Sequence, residues 1–92
     1  MVKAKKILQK ILSGSKNIRF DDFVKLVEAF GFVLDRIRGS HHIFKHPNLP
    51  ELLNIQPDSG GKVKPYQIKQ LLALVEAYEL ELNGDLDEEE NA

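Results

Sequence analysis

The stretch Gly31-Phe32-Val33-Leu34-Asp35-Arg36-Ile37-Arg38-Gly39-Ser40-His41-His42-Ile43-Phe44-Lys45-His46-Pro47 decides the fold of this 92-residue chain. Residues 32–38 alternate: Phe32, Leu34 and Arg36 point one way, and Val33, Asp35 and Ile37 the other, which is the period of a strand. Gly39-Ser40 supplies a tight turn. Residues 41–45 then alternate again, with the β-favouring pair Ile43 and Phe44. Two strands joined by so short a connection form an antiparallel hairpin. Pro47 cannot donate to a ladder and ends the second strand. Adjacent side chains on a strand point to opposite faces, so only one of His41 and His42 shares the open face of the sheet.

Working outward toward the N-terminus, Phe20, Phe23, Val24, Val27 and Phe30 form one apolar helical stripe, with Leu26 at its margin. Asp21 and Asp22 fall in the first turn, where the helix dipole favours acids, and Gly31 suits the terminating position. Ala4, Ile7, Leu8 and Ile11 mark an earlier short helix over 4–12, with Lys on its other face and a connector at Ser13-Gly14-Ser15. Toward the C-terminus, residues 46–50 read as a loop and Leu52 to Gln56 as a third strand. Pro57-Asp58-Ser59-Gly60-Gly61 closes it. Pro65 suits the first position of a last helix, whose buried stripe is Ile68, Leu71, Leu72, Val75 and Tyr78 and whose end falls near Asn83-Gly84. The fold class is therefore α+β: a three-stranded antiparallel sheet with helices packed on one face.

Length and composition narrow the function. One domain is the natural count for 92 residues. The chain is 42% hydrophobic and 29% charged, too apolar to be disordered throughout. It has no cysteine, which excludes disulfides and thiolate metal sites. No apolar run approaches the roughly 20 residues of a membrane helix, and the charged N-terminus lacks a secretory core, so a cytoplasmic protein is expected. The net charge of −1 conceals a division. All 13 Lys and Arg precede residue 76 with only 6 of the 14 acids, giving that body +7 and the remaining residues −8. A basic body of this kind can bind phosphate by counterion release. The acidic end reads as a solvated tail, or as a competitor with RNA for the basic face.

Three histidines are the only groups suited to proton transfer at neutral pH. A metal site lacks both Cys and a His-x-x-x-His helix motif. Ser40 beside His41 is a sequence neighbour rather than a triad, and Gly60-Gly61-Lys62 is too short for a P-loop. RNA cleavage demands less, because the substrate's 2′-hydroxyl can serve as the nucleophile. A histidine then acts as base or acid, and cations hold the phosphate. Arg36, Arg38 and Lys45 surround the Gly39-Ser40-His41-His42 turn, and Lys62 and Lys64 approach the start of the last helix. The plain alternative is that these cations form a solvated basic face.

The quoted run resembles the HicA toxin family of bacterial toxin–antitoxin systems in its Gly-x-x-Leu…Arg…Gly-Ser-His-His…His-Pro pattern. The resemblance covers roughly residues 18–77, with Leu53 to Pro57 in the place of the third strand and Lys64-Pro65 to Val75 in that of the second helix of the family core. It implies a double-stranded-RNA-binding-like α-β-β-β-α fold, preceded here by an extra N-terminal helix. It also implies a metal-independent mRNA endoribonuclease that needs no cofactor and relies on one histidine after the Gly-Ser turn. That role falls to His41, with His42 as the alternative. Arg36, Arg38, Gly39, Ser40, Lys45, Lys62 and Lys64 are the expected RNA-binding set, and a HicB-like antitoxin the expected protein partner in a hetero-oligomer. The chain then divides into an N-terminal helix extension (1–17), the RNA-cleaving domain (18–82) and an acidic disordered tail (83–92). Gln56-Pro57-Asp58 stands where the family often has a Pro-His segment. That departure keeps open a non-catalytic RNA-binding module of the same fold, and the extra helix and tail a docking protein.

Overall fold

Two helices of nearly equal length start the chain in a computed structural model that describes residues 3–82. Helix α1 spans Ala4–Leu12 and buries Ala4, Ile7 and Ile11. It ends in a Schellman arrangement: the Ser15 N–H donates to the Lys10 carbonyl and the Gly14 N–H to that of Ile11. Helix α2 spans Phe20–Ala29. Its first amide is satisfied from outside the helix, with the Phe20 N–H donating to the Gly61 carbonyl at 3.0 Å. Leu26 is fully buried and Val24 only partly so, reversing the expected order. Helix α1 packs against α2, and the buried residues of both helices belong to one core. Gly31 closes α2 at φ +100°, with Phe32 N–H returning to the Val27 carbonyl.

Strands β1 (Val33–Arg38), β2 (His41–Lys45) and β3 (Leu53–Ile55) form one antiparallel sheet in the order β1-β2-β3. The register pairs Arg38 with His41, Ile37 with His42, Arg36 with Ile43 and Leu34 with Phe44. Asp35 is the extra residue of a β-bulge between Leu34 and Arg36. The bulge corrects the simple alternation expected for 32–38. Leu34 and Ile37 share one face, whereas Arg36 and Arg38 share the other, because one unpaired residue shifts the phase of everything after it. On β3, Leu53 pairs with Phe44 and Ile55 with His42, and both are fully buried. That face carries the helices, and the face of His41, Ile43 and Asn54 is the open one.

Helix α3 spans Pro65–Tyr78 and packs on β3 through a buried Ile68, Leu71 and Gln67. It ends at Tyr78, five residues before Asn83, because Glu79 adopts a left-handed conformation at φ 53°. The Leu80 N–H then donates to the Val75 carbonyl, and Leu80 and Leu82 turn back onto the core. A single core joins Ile7 and Ile11 of α1, Phe23 and Val27 of α2, Phe44 of β2, Leu53 and Ile55 of β3, and Leu71 of α3. Removing one fully buried phenylalanine such as Phe23 would cost roughly 3–5 kcal/mol. The acidic segment 83–92 lies outside the described residues. Among those described, no helix is long and apolar enough to cross a membrane.

Candidate functional site

The tip of the β1–β2 hairpin is a two-residue turn. Gly39 takes φ +59°, the positive value that a type II′ turn places at its first central residue, and Ser40 follows with an ordinary negative φ. A hydrogen bond ties this turn to the strand beyond: the Ser40 hydroxyl donates to Gln56 Oε1 at 3.1 Å. Gln56 is itself anchored, because its backbone N–H donates to Oε1 of the buried Gln67 at 3.2 Å. Helix α3 thus holds the hairpin tip through two glutamines in series.

His41 begins β2 on the open face, exposed and opposite Arg38. Its Nδ1 lies 3.2 Å from Asn54 Oδ1 on the central position of β3. An amide oxygen can only accept, so Nδ1 carries the hydrogen in this contact. Nε2 is then the basic nitrogen, and it has no hydrogen-bond partner among the described residues. His42 points the other way, as strand alternation requires. Its ring meets Phe20 edge-on at 4.9 Å, and its Nδ1 lies 3.1 Å from the Ser40 carbonyl. The two histidines therefore occupy different environments, one open to solvent and one packed against the start of α2.

The register gathers Arg36, Arg38, His41 and Asn54 on the open face, with Lys45 at its far end. Asp35 moderates this charge. Its carboxylate bonds the Arg36 guanidinium and lies 3.5 Å from Lys45 Nζ. Arg38 is the cation set directly opposite His41 in the ladder. Lys62 and Lys64 sit elsewhere, in the segment that runs past the start of α2 into α3. The Lys62 backbone pairs with Arg19, so this lysine belongs to the helix side of the hairpin rather than to the open face.

The segment Gln56-Pro57-Asp58 has a structural part. Besides the Gln56 bonds, Pro57 bridges Val63, and Asp58 Oδ1 accepts the N–H groups of Gly60 and Lys62 at 2.8 and 2.9 Å. The Lys62 and Gly60 N–H bonds hold the Asp58 carboxyl below its ordinary value. The third histidine, His46, is buried. Its Nε2 donates to the Phe30 carbonyl and its Nδ1 accepts the Asn48 N–H, each at 3.1 Å.

Asn54, Gln56 and Gln67 are absent from the set expected from sequence. The alternation Leu53-Asn54-Ile55 already puts Asn54 on the face opposite two core residues. Its meeting with His41 depends on the β2–β3 register, which no local pattern carries. Among the described residues no three His, Asp or Glu side chains converge as a ligand set for a metal ion. A family model described as "HicA toxin of bacterial toxin-antitoxin" matches residues 20–76. No curated protein and no solved structure matches the chain.

Proposed function

The chain belongs to the HicA toxin family of bacterial toxin–antitoxin systems, and we propose from that premise that it cleaves mRNA with His41 as its one acid/base group. A toxin of such a system works against an antitoxin partner and, in this family, generally on mRNA. The finer reading is that the partner is HicB-like and covers the open face.

One observation carries the reading: an exposed imidazole on a basic sheet face, opposite Arg38, with its second nitrogen already bonded to Asn54. In the reaction, the 2′-oxygen attacks the adjacent phosphorus and the P–O5′ bond breaks. One proton leaves the 2′-hydroxyl and one reaches the 5′-oxygen. His41 Nε2 exchanges one of these protons and solvent the other, a role that an imidazole nitrogen fills as base or acid. Arg38 and Arg36 offer charge for the phosphate oxygens.

The test is cleavage of a purified transcript in excess chelator by wild type, His41→Ala and His42→Ala. Wild type and His42→Ala should cut, and His41→Ala should not. Salt-sensitive binding with intact RNA for all three would make the protein a binding module instead. Loss of cutting only in His42→Ala would move the chemistry to the other histidine.

A further inference from the structure

The Asn54 contact has a chemical consequence for the ring it touches. A neutral imidazole carries its hydrogen on either nitrogen, and a bond to one nitrogen selects the tautomer. His41 stands at the end of a strand, beside a two-residue turn and exposed to solvent, so packing alone leaves its ring free to rotate and to exchange tautomers. Asn54 supplies what packing does not. It sits on β3 opposite Ile43, diagonal to His41 on the same face, and its amide oxygen lies 3.2 Å from Nδ1. Its own backbone is secured, since Leu53 and Ile55 on either side are fully buried. The acceptor is therefore presented from a rigid strand rather than from a loop.

We propose that Asn54 is a positioning residue for His41: its amide oxygen keeps the hydrogen on Nδ1 and turns an unprotonated Nε2 toward the open face. The proposal rests on the reading of His41 as the acid/base group. A neutral amide orients the ring without adding charge beside it. A carboxylate in the same place would orient it too, but would also favour the imidazolium. Exchange of amide for carboxylate thus separates orientation from charge.

The experiment compares wild type, Asn54→Ala and Asn54→Asp. It reads cleavage kinetics against pH and, independently of cleavage, the ¹⁵N signals of the His41 ring, assigned by their absence in His41→Ala. In wild type the neutral ring should carry hydrogen on Nδ1. Asn54→Ala should lose that preference and lower kcat by about 10- to 100-fold, with KM changed less than about twofold. Asn54→Asp should keep the Nδ1 hydrogen, recover most of kcat, and move the His41 limb of the pH–rate profile upward by about one unit. A merely structural role for Asn54 would not move that limb.

A wild-type ring carrying its hydrogen on Nε2 overturns the proposal. So does an Asn54→Ala protein with unchanged tautomer and kcat. If RNA stays intact with every protein while Asn54→Ala still alters the tautomer, the orientation by Asn54 stands and the catalytic reading of His41 falls.

Discussion

Strand β2 begins and ends beside histidines that the fold treats in opposite ways. At its start, His41 is exposed, bonded through one nitrogen to Asn54, and opposite a cation. Just past its end, His46 is buried with both nitrogens engaged and its ring edge-on to Phe32 at 5.0 Å. A Cβ on Gly31 would lie 2.8 Å from His46 Nε2, so the chain at the α2–β1 corner leaves the ring its space by having no side chain there. The same imidazole is reactive in prospect at one end and a cross-link at the other. Residue type does not separate them; the number of ring nitrogens already committed to the protein does.

That contrast can be broken experimentally. The largest effect belongs to His41→Ala, which should lower RNA cleavage by about 10²- to 10⁴-fold while leaving the thermal midpoint almost unchanged. Equal losses of activity and stability would erase the distinction between the two ends. His46→Ala should do the reverse. It strands the Phe30 carbonyl and the Asn48 N–H and opens a cavity, at a cost of about 2–3 kcal/mol. Calorimetry should then show Tm lower by roughly 10–20 °C, with cleavage retained well below that midpoint.

Smaller effects sharpen the picture on each side. On the open face, Arg38→Ala should weaken RNA binding and reduce the slope of log affinity against log salt by about 0.7. Arg36→Ala should do less, because Asp35 already neutralises that guanidinium. An equal or larger change for Arg36 in a salt titration would mean that RNA displaces the Asp35 pair. The smallest effect concerns the turn that follows β3. The folded Asp58 carboxyl titrates below its ordinary value, so its charge stabilises the fold above the usual carboxylate range and that contribution fades as pH falls through the folded value. Asp58→Asn keeps an acceptor but loses the charge. Its Tm should lie slightly below that of wild type at pH 7, and the gap should close in acid.

Much of the architecture was legible because it is local. Alternation around Gly39-Ser40 gave the hairpin, the spacing of Phe20, Phe23, Val27 and Phe30 gave α2, and Pro65 gave the start of α3. Local pattern and structure part company where distant segments meet. Helical spacing puts Val24 in the stripe of α2 and Leu26 at its margin, whereas the packed core buries Leu26 fully and Val24 only in part. Local pattern carries α3 to the neighbourhood of Asn83-Gly84, because the return of Leu80 to the core has no local signature. The bulge at Asp35 looks in sequence like one more step of an alternating strand.

The sequence by itself determined the order of elements, the basic body, and the placing of His41 and His42 on opposite sides of one sheet. Those follow from chain geometry, since neighbouring side chains on a strand cannot share a face. Only the tertiary structure decided which of the two faces is open, because the helices must first choose the side to cover. It alone brought Asn54 to Nδ1 of His41 and buried His46 between Phe30 and Asn48. The contacts of His41 with Asn54 and of His46 with Phe30 join residues 13 and 16 positions apart, and those partners are chosen by strand register and packing rather than by anything written beside them.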